Sequence, residues 1–393
     1  MPLPDYICRL GDLLSAAGHT WYVVGGCVRD FLLGVLPKDY DMCTSATPEQ
    51  MLNIFNGYNL VLDGVKHGTV TVIANHVPVE ITAYRIESGY SDSRHPESVV
   101  FTDKVEQDLM RRDFTVNAMA YHPQKGIIDL FGGREDLNCG IIRCVGDPDV
   151  RFGEDALRML RCLRFAARFD FAIDPATEDA IKKNFDAMQN IAAERICAEL
   201  QGFLDGAACG KIAALFQDQI SALFAPLHTD IQALICEGDF VKRLFWLLCQ
   251  NESEAVRQKL KAMRFSTRLS NLCADLILNA APCDTVADMA LLIGKYGTDF
   301  ARLWLDLRGS DKAKAAFDYI LENNIPTTVQ QLNVNGADLL AAGIPAGPAL
   351  GGCLQHLLMS VLKKETENEK NALCIEAKEW YDIFGNHKEN KEN

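Results

Sequence analysis

The chain has 393 residues, which is too long for one ordinary domain, so about two to four domains are expected. Hydrophobic residues at 48% and charged residues at 23% are typical of a soluble globular protein with an ample core. The net charge of −14 excludes a protein that coats nucleic acid indiscriminately, although it leaves room for a local basic groove.

The 14 cysteines are scattered and show no C-x-x-C spacing. This pattern excludes a zinc framework and a disulfide scaffold, and it predicts a reducing, cytoplasmic location. The N-terminus has neither the charged start nor the apolar core of a signal peptide, and no stretch reaches membrane-spanning length. The sequence therefore gives no reason to expect a membrane partner.

The first predicted element is a helix that ends near Gly18. Leu10, Leu13, Leu14 and Ala17 have helical spacing, so they predict an apolar face that covers a sheet. A short β-rich run over 21–24 follows and provides the first predicted strand.

A glycine turn follows this strand and leads into a predicted helix. Gly25 and Gly26 lack a Cβ, so their backbone can approach a phosphate closely, and the helix behind them presents free N–H groups. Arg29 supplies a positive fork for a triphosphate. These three residues are therefore candidates for nucleotide binding, although a glycine pair is more often only a turn.

Two acids, Asp39 and Asp41, close this stretch. Residues two apart on an extended segment point to the same side, so the two carboxylates can converge on one cation. Mg²⁺ is bound through one or two carboxylates together with substrate phosphates. The two acids are thus the predicted magnesium ligands and catalytic residues; a solvated strand edge is the alternative.

A further helix and two strands are predicted next. Thr47 is a candidate N-cap with Pro48 at the first helical position. Strands over 68–73 and 77–84 are joined by a turn, and Glu80 lies on the face of the second strand opposite Val79. Glu80 is the candidate third carboxylate, with an exposed edge acid as the equal alternative.

The segment 85–102 is polar and lacks periodicity, so it is predicted to be a long loop. Long loops in compact domains tend to be functional or disordered. Four of its residues are candidates for a mobile polar lever beside the active site: Arg85, Asp92, Arg94 and His95. A surface Ω-loop is the alternative.

A charged cluster follows, formed by Arg111, Arg112 and Asp113. It precedes a predicted helix whose apolar face holds Val116, Met119 and Ala120. Two arginines held in register by an acid suit triphosphate binding, so Arg112 is a further nucleotide-binding candidate. An ordinary surface ion pair is the alternative.

A long helix is predicted over 153–168. Its buried stripe consists of Ala156, Leu160, Leu163 and Ala167. Its other face carries four arginines with little acidic compensation: Arg158, Arg161, Arg164 and Arg168. Such a face indicates an anionic partner, although a solvated basic face remains the alternative.

Asp155 lies one helical turn before Arg158 and together they suggest a way to recognise a base. Cytosine and adenine each present a ring-nitrogen acceptor beside an amino donor, which an arginine donor and a carboxylate acceptor can satisfy. Guanine and uracil reverse this pattern and leave buried polar groups unpaired. The pair therefore predicts selection of C and A without a nucleic-acid template.

Three motifs in this order resemble those of the class II tRNA nucleotidyltransferases, the CCA-adding enzymes of the polymerase-beta-like superfamily. They are Gly25-Gly26-Cys27-Val28-Arg29-Asp30 with Asp39-x-Asp41, then Arg111-Arg112-Asp113-Phe114-Thr115, then Glu154-Asp155-Ala156-Leu157-Arg158. The resemblance implies template-independent addition of C, C and A to the 3′ end of tRNA from CTP and ATP, with Mg²⁺. It also implies that Arg161 and Arg164 are further nucleotide contacts.

The resemblance also implies an α+β fold: a nucleotidyltransferase head with a mixed β-sheet and flanking helices, followed by all-α neck, body and tail domains. The expected boundaries are 1–139 for the head, 140–205 for the neck, 206–270 for the body and 271–393 for the tail. Glu194-Arg195-Ile196 with Glu199-Leu200 is similar to the neck region of the family. Besides tRNA, ATP and CTP, no protein partner is predicted.

Two alternatives remain open on the sequence. A bacterial poly(A) polymerase shares the head and neck motifs but typically carries a strongly basic C-terminal extension, which this acidic chain lacks. Enzymes that add only CC or only A are closer. A CC-adding form is expected to have a shortened loop after the Glu80 strand, whereas 85–102 is full length, which leaves the A-adding form as the nearer alternative.

Overall fold

The computed structural model describes residues 1–90, 96–236 and 238–385. The chain forms two compact units, Met1–Leu278 and Asn279–Asn393. The predicted α+β organisation is confirmed, because a mixed sheet with flanking helices near the N-terminus is followed by a helical remainder.

The centre of the first unit is a seven-stranded sheet with the order β3-β4-β5-β2-β1-β8-β9. Its strands are β1 Trp21–Val24, β2 Asp41–Thr44, β3 Asn59–Val61, β4 Thr69–Ala74, β5 Val77–Ala83, β8 Met119–His122 and β9 Gly126–Asp129. Strands β2 and β5 are parallel, and their other pairings in this sheet are antiparallel. The predicted strands over 21–24, 68–73 and 77–84 are therefore confirmed.

Short helices accompany this sheet: α1 Asp5–Ala16, α2 Gly26–Leu32, α3 Pro48–Ile54, α4 Val105–Met110 and α5 Gly133–Cys139. Leu10 and Leu14 of α1 are fully buried, as predicted, whereas Leu13 and Ala17 of the predicted apolar face are exposed. The cap of α3 is also confirmed, since the Thr47 hydroxyl accepts from the Gln50 N–H and the Gln50 side chain accepts from the Thr47 N–H.

The prediction of a loop over 85–102 is wrong. Strand β6 Arg85–Tyr90 pairs antiparallel with β7 Pro96–Phe101, so Ile86 lies opposite Val100. The polar composition concealed this ribbon because a separate two-stranded ribbon does not need an alternating apolar face buried in a core. Asp92, Arg94 and His95 lie outside the described residues.

The prediction of a helix after Asp113 is also wrong. Only a 3₁₀ turn, Thr115–Asn117, forms there, and Met119 begins strand β8. Val116, Met119 and Ala120 are all fully buried, as expected for an apolar face. A short apolar run fits a helix and a strand equally well, and pairing with β1 decides in favour of the strand.

The first unit continues as helices with one small parallel ribbon. The helices are α6 Pro148–Glu154, α7 Leu157–Phe169, α8 Pro175–Asn184, α9 Ala193–Leu204, α10 Cys209–Leu215, α11 Gln217–Phe224, α12 Phe240–Leu248, α13 Ser253–Ala262 and α14 Thr267–Leu278. The ribbon pairs β10 Ile141–Ile142 with β11 Ala172–Ile173. Short 3₁₀ helices span Val65–His67, Phe185–Asn190 and Ile231–Ile235.

The single helix predicted over 153–168 is interrupted. Asp155 has extended dihedral angles, φ −145° and ψ 102°, and separates α6 from α7. The prediction that Asp155 and Arg158 lie on one helix is therefore wrong. The buried stripe of α7 is nonetheless as predicted, because Ala156, Leu160, Leu163 and Ala167 all have no exposed surface.

The second unit is helical throughout its described part. Its helices are α15 Val286–Tyr296, α16 Thr298–Arg308, α17 Asp311–Glu322, α18 Gly336–Ala341, α19 Pro348–Leu362 and α20 Lys370–Trp380, with a 3₁₀ helix Val329–Gln331 and a π-helical turn Tyr381–Gly385. Across the ranges that the structure describes, every helix is too short or too polar to span a membrane.

Candidate active site

Asp41 and Glu80 lie side by side at the centre of the sheet. Met42 of β2 pairs with Ile81 of the parallel strand β5, so the preceding residues, Asp41 and Glu80, are also adjacent. Paired residues on neighbouring strands point to the same face. Met42 and Ile81 are buried on one face, whereas Asp41 and Glu80 reach solvent on the other.

The electrostatics of this group favour a cation. Partial burial, together with the negative charges of Glu80 and Asp39, raises the pKa of Asp41 to about 6, and Arg112 opposes this only in part. Such uncompensated negative charge suits a hard divalent ion. No three His, Cys, Asp or Glu side chains within the described ranges converge tightly enough to enclose a metal. This chemistry fits a metal held by one or two carboxylates and completed by substrate phosphates.

The repulsion of Asp41 by Glu80 and Asp39 predicts that Asp41→Asn stabilises the metal-free protein. The folded state raises the pKa of Asp41 from 3.8 to about 6, so it binds more protons than the unfolded chain between these values. The wild type therefore loses stability as the pH rises through this window, and the penalty is complete above pH 6. Because solvent reaches the carboxylate, the expected gain for the variant at pH 8 is about 1 kcal/mol.

Thermal unfolding in EDTA at pH 8 and at pH 4 measures this effect. The gain should be seen at pH 8 and should largely vanish at pH 4. Asp63→Asn is the matched control, since it removes one charge from an exposed acid and should change the melting temperature little. If Asp41→Asn and Asp63→Asn raised the melting temperature equally, the gain could not be attributed to the charges around Asp41.

Gly25 is at the sharp turn between β1 and α2. Its φ of +73° is in the region that favours glycine, and its N–H donates to the Met119 carbonyl at 3.1 Å. A Cβ at this position would lie 3.0 Å from Nη1 of Arg112. The guanidinium of Arg112 is held in turn by the fully buried Asp108, at 3.2 Å. Glycine is therefore needed here both for the turn and for the approach of Arg112.

Arg29 is only 4% exposed and its hydrogen-bonding groups are used within the protein. Its Nη1 donates to Oδ1 of Asn117 at 2.5 Å, and its Nη2 donates to Oδ1 of Asp30 at 2.7 Å. Its guanidinium also packs over the rings of Phe165 and Phe169, at 5.2 and 4.8 Å from their centroids. Arg29 thus fixes α2 against α7, and direct triphosphate binding by Arg29 stays a prediction.

The hydrogen bonds continue from Asn117 into α7 and α9. Asn117 Nδ2 donates to Oδ1 of Asp113 at 3.2 Å, and Oδ2 of Asp113 accepts from Nε and Nη2 of Arg161, each at 3.0 Å. Glu199 of α9 then accepts from Nη1 of Arg161 at 3.1 Å and from Nε of Arg164 at 2.5 Å. We call these six residues the charge relay: Arg29, Asn117, Asp113, Arg161, Glu199 and Arg164.

The basic face of α7 is therefore well compensated, contrary to prediction. Arg158 pairs with Glu154 at 2.7 Å, and the charge relay supplies acids to Arg161 and Arg164. The spacing along α7 does not reveal Asp113 and Glu199, because both come from distant parts of the sequence. Arg168 is exposed and packs over Phe169, with no ion-pair partner in the described part of the chain.

A cleft of about 620 Å³ brings several predicted residues together. Asp39, Gly26 and Arg29 line it from the sheet side, and Arg164 and Arg168 line it from α7. The remaining lining residues are Asp30, Lys38, Gly202, Asp205, Gly206 and Ala207. An acid next to the sheet and arginines on a helix thus share one solvent-filled space of a size that suits a nucleotide.

Asp155 and Arg158 are separately engaged and do not line this cleft. Arg195 of α9 donates to both carboxylate oxygens of Asp155, at 2.7 and 3.3 Å. Arg158 donates from Nη1 to Glu154 and from Nη2 to the Arg111 carbonyl, at 2.7 and 3.2 Å. The two candidate base-recognition residues are therefore held by other partners in this structure.

Arg85, the described member of the predicted lever, begins β6 and donates to the His67 carbonyl. It thus anchors the ribbon to the 3₁₀ turn before β4.

Sequence reasoning missed several residues of the site. Lys38 lines the cleft, Asn117 and Glu199 orient its arginines, and Arg195 holds Asp155. Lys38 was detectable, since it directly precedes Asp39. The other roles depend on partners far away in sequence, so spacing alone gives no signal for them.

Comparison with protein families gives three consecutive matches. Residues 21–143 match the poly A polymerase head domain. Residues 170–231 match a probable RNA and SrmB-binding site of polymerase A, and residues 242–377 match a putative tRNA nucleotidyltransferase domain 2.

Relatives and solved structures agree with these matches. The CCA-adding enzyme of Ligilactobacillus salivarius is 35% identical over 93% of this chain and 94% of its own length. That of Leuconostoc mesenteroides is 33% identical with the same coverage. The crystal structure of the Bacillus stearothermophilus CCA-adding enzyme in complex with CTP superposes with a TM-score of 0.77 at 28% identity, covering 100% of both chains.

Proposed function

Because this chain belongs to the family of the CCA-adding enzymes, which are tRNA nucleotidyltransferases, we propose that the cleft between its sheet and α7 is where CTP and ATP react with the 3′ end of tRNA. The protein adds C, C and A to tRNA without a nucleic-acid template. The observation that carries the assignment of the site is the cleft shared by Asp39 and the arginines of α7.

Asp39 and Asp41 are the proposed metal ligands, with Glu80 beside Asp41 as a third catalytic carboxylate. Enzymes of this family depend on a metal ion, and we infer Mg²⁺ because the donors are carboxylate oxygens. When bound, Mg²⁺ would make the tRNA 3′-hydroxyl easier to deprotonate and would neutralise charge on the departing pyrophosphate.

The other charged residues bind and orient the nucleotide. Arg112 lies beneath the glycine turn, where its positive charge can attract the phosphates that Gly25 and Gly26 admit. Arg164 reaches the cleft while Glu199 fixes its direction, and Arg161 is held behind it by Asp113 and Glu199. The charge relay thus holds the side chains of Arg161 and Arg164 in place before the substrate binds, which limits the reorganisation needed during the reaction.

Asp155 and Arg158 are the proposed base-recognition residues. The carboxylate accepts from the amino group of C or A, and the guanidinium donates to the ring nitrogen. For this, the base must replace Glu154 as the partner of Arg158. Uracil and guanine offer the opposite pattern and would make neither of these two hydrogen bonds.

Labelled CTP or ATP and three tRNA transcripts test the proposal. The transcripts lack the whole CCA end, lack only its final A, or are complete. With Mg²⁺, we expect two C additions and then one A on the first, one A on the second and none on the third, read on a sequencing gel. Addition of A alone to the shortest transcript would contradict CCA addition, and long A tails would indicate a poly(A) polymerase.

Removal of the metal tests the cofactor. EDTA should abolish incorporation, and excess Mg²⁺ should restore it because the ion completes a site that is otherwise repulsive. Full activity in EDTA would contradict the magnesium assignment.

We further propose that the protein works in the cytoplasm, since all of its 14 cysteines are free.

A further inference from the structure

The orientation of Asp155 is set by a residue from another helix. Nη2 of Arg195 donates to Oδ2 of Asp155 at 2.7 Å, and Nη1 donates to Oδ1 at 3.3 Å. The Leu157 N–H donates to Oδ1 at 3.1 Å. Three donors thus fix the rotation of a carboxylate that lies outside any helix.

We propose that Arg195 is a positioning residue that gives the enzyme its preference for C and A, by holding Asp155 in the orientation that reads the base. This inference rests on the proposed role of Asp155 in base recognition. The plane of an aspartate carboxylate has no strong intrinsic preference, because its terminal torsion is broad. Without Arg195, the single Leu157 N–H leaves Oδ2 free to turn away from the base.

The number of acceptor sites supports this role. Each carboxylate oxygen can accept two hydrogen bonds. Oδ1 is filled by Leu157 and Arg195, whereas Oδ2 accepts only from Arg195 among the described residues. One acceptor site therefore remains on Oδ2, enough for one amino group of cytosine or adenine. A base can thus bind without displacing Arg195.

Arg195 is not needed to attach α9 to α7. Glu199 already joins these helices through Arg161 and Arg164, at 3.1 and 2.5 Å. The side chain of Arg195 is 25% exposed, and its ion pair is at the surface of the helix contact. Its loss should therefore affect the direction of Asp155 more than the packing of the helices.

The test compares CTP with UTP in single-nucleotide incorporation on tRNA lacking CCA. For full-length Arg195→Gln, we expect the ratio of kcat/KM for CTP over UTP to fall at least about tenfold, mainly through poorer use of CTP. Arg195→Lys keeps the charge but loses the two-pronged contact, so its ratio should be intermediate. Arg264→Gln is the matched control, because it breaks an exposed ion pair with Glu194, which lies next to Arg195 on α9. It should leave the ratio unchanged.

An unchanged ratio would overturn the inference. If kcat/KM fell equally for CTP and UTP, Arg195 would have a merely structural role; if neither value fell, Arg195 would have no role in the reaction. If Arg195→Gln fails to fold, the ratio for Arg195→Lys decides the matter in the same way. Asp155→Ala separates this inference from the proposed function. If Asp155→Ala keeps full selectivity, the base-recognition assignment itself fails; if it loses selectivity while Arg195→Gln does not, only the role of Arg195 fails.

Discussion

Asp39→Ala and Asp41→Ala proteins are expected to fold normally and to incorporate neither C nor A. Each variant removes one of the carboxylates that would hold the metal, and Lewis-acid stabilisation of the transition state amounts to several kcal/mol. A loss of this size corresponds to a fall in kcat on the order of 10³-fold or more. Incorporation of labelled CMP with saturating CTP and tRNA measures it.

Asp63→Ala is the control, since Asp63 is an exposed acid elsewhere in the head. It should retain the activity of the wild type. Circular dichroism should show the same helix content in all three variants. If Asp39→Ala or Asp41→Ala kept more than a tenth of the activity, the metal-site assignment would be wrong.

Asp113→Ala is expected to lower the free energy of unfolding of the first unit by about 3 kcal/mol. Its carboxylate is 12% exposed and accepts four hydrogen bonds: from the Phe114 N–H, from Asn117 and two from Arg161. Removing it leaves these donors without an acceptor and breaks the hydrogen-bonded link between Asn117 and Arg161 of α7. Urea unfolding, followed by circular dichroism, measures the change in midpoint.

The pH dependence of this loss provides a second test. Burial would raise the pKa of Asp113, but Arg161 and the other donors outweigh burial and lower it below 3.8. The stabilisation is therefore present above the ordinary value and is lost as the pH falls through the lower folded value. The gap between wild type and variant should be constant from pH 5 to 8 and should narrow below about pH 4.

A surface ion pair gives the comparison for Asp113→Ala. Lys211→Ala breaks the contact with Asp170, in which both side chains are 61% exposed, and should cost less than about 0.5 kcal/mol. If Asp113→Ala cost no more than Lys211→Ala, the charge relay would have no structural importance.

Local patterns in the sequence predicted the parts of the fold that depend on neighbouring residues. The cap at Thr47 and the strand before Gly25 follow from turn and capping chemistry. The alternation around Glu80 correctly indicated which face of β5 is buried. Asp39 and Asp41 are candidates because their spacing is combined with the preceding glycine turn, and their role as metal ligands stays a prediction.

The parts that depend on distant partners could not be predicted in this way. Val116 and Met119 fit a helical face, and only pairing with β1 places this segment in the sheet. The spacing on α7 indicates a basic face with little acidic compensation, because Asp113 and Glu199 are 48 and 35 residues away from their partners Arg161 and Arg164. Helical spacing likewise predicts Asp155 on a helix, whereas its extended backbone and its contact with Arg195 are decided by tertiary packing.

The extended residue between α6 and α7 separates two tasks within one enzyme. Asp41 and Glu80, two of the acids proposed for bond formation, belong to the central sheet, whereas Asp155 belongs to a two-residue break between helices. Under the proposed assignments, a substitution there would alter which monomer is accepted and leave the machinery of phosphodiester synthesis intact. Such an arrangement allows the monomer alphabet of a polymerase to be changed independently of its chemistry.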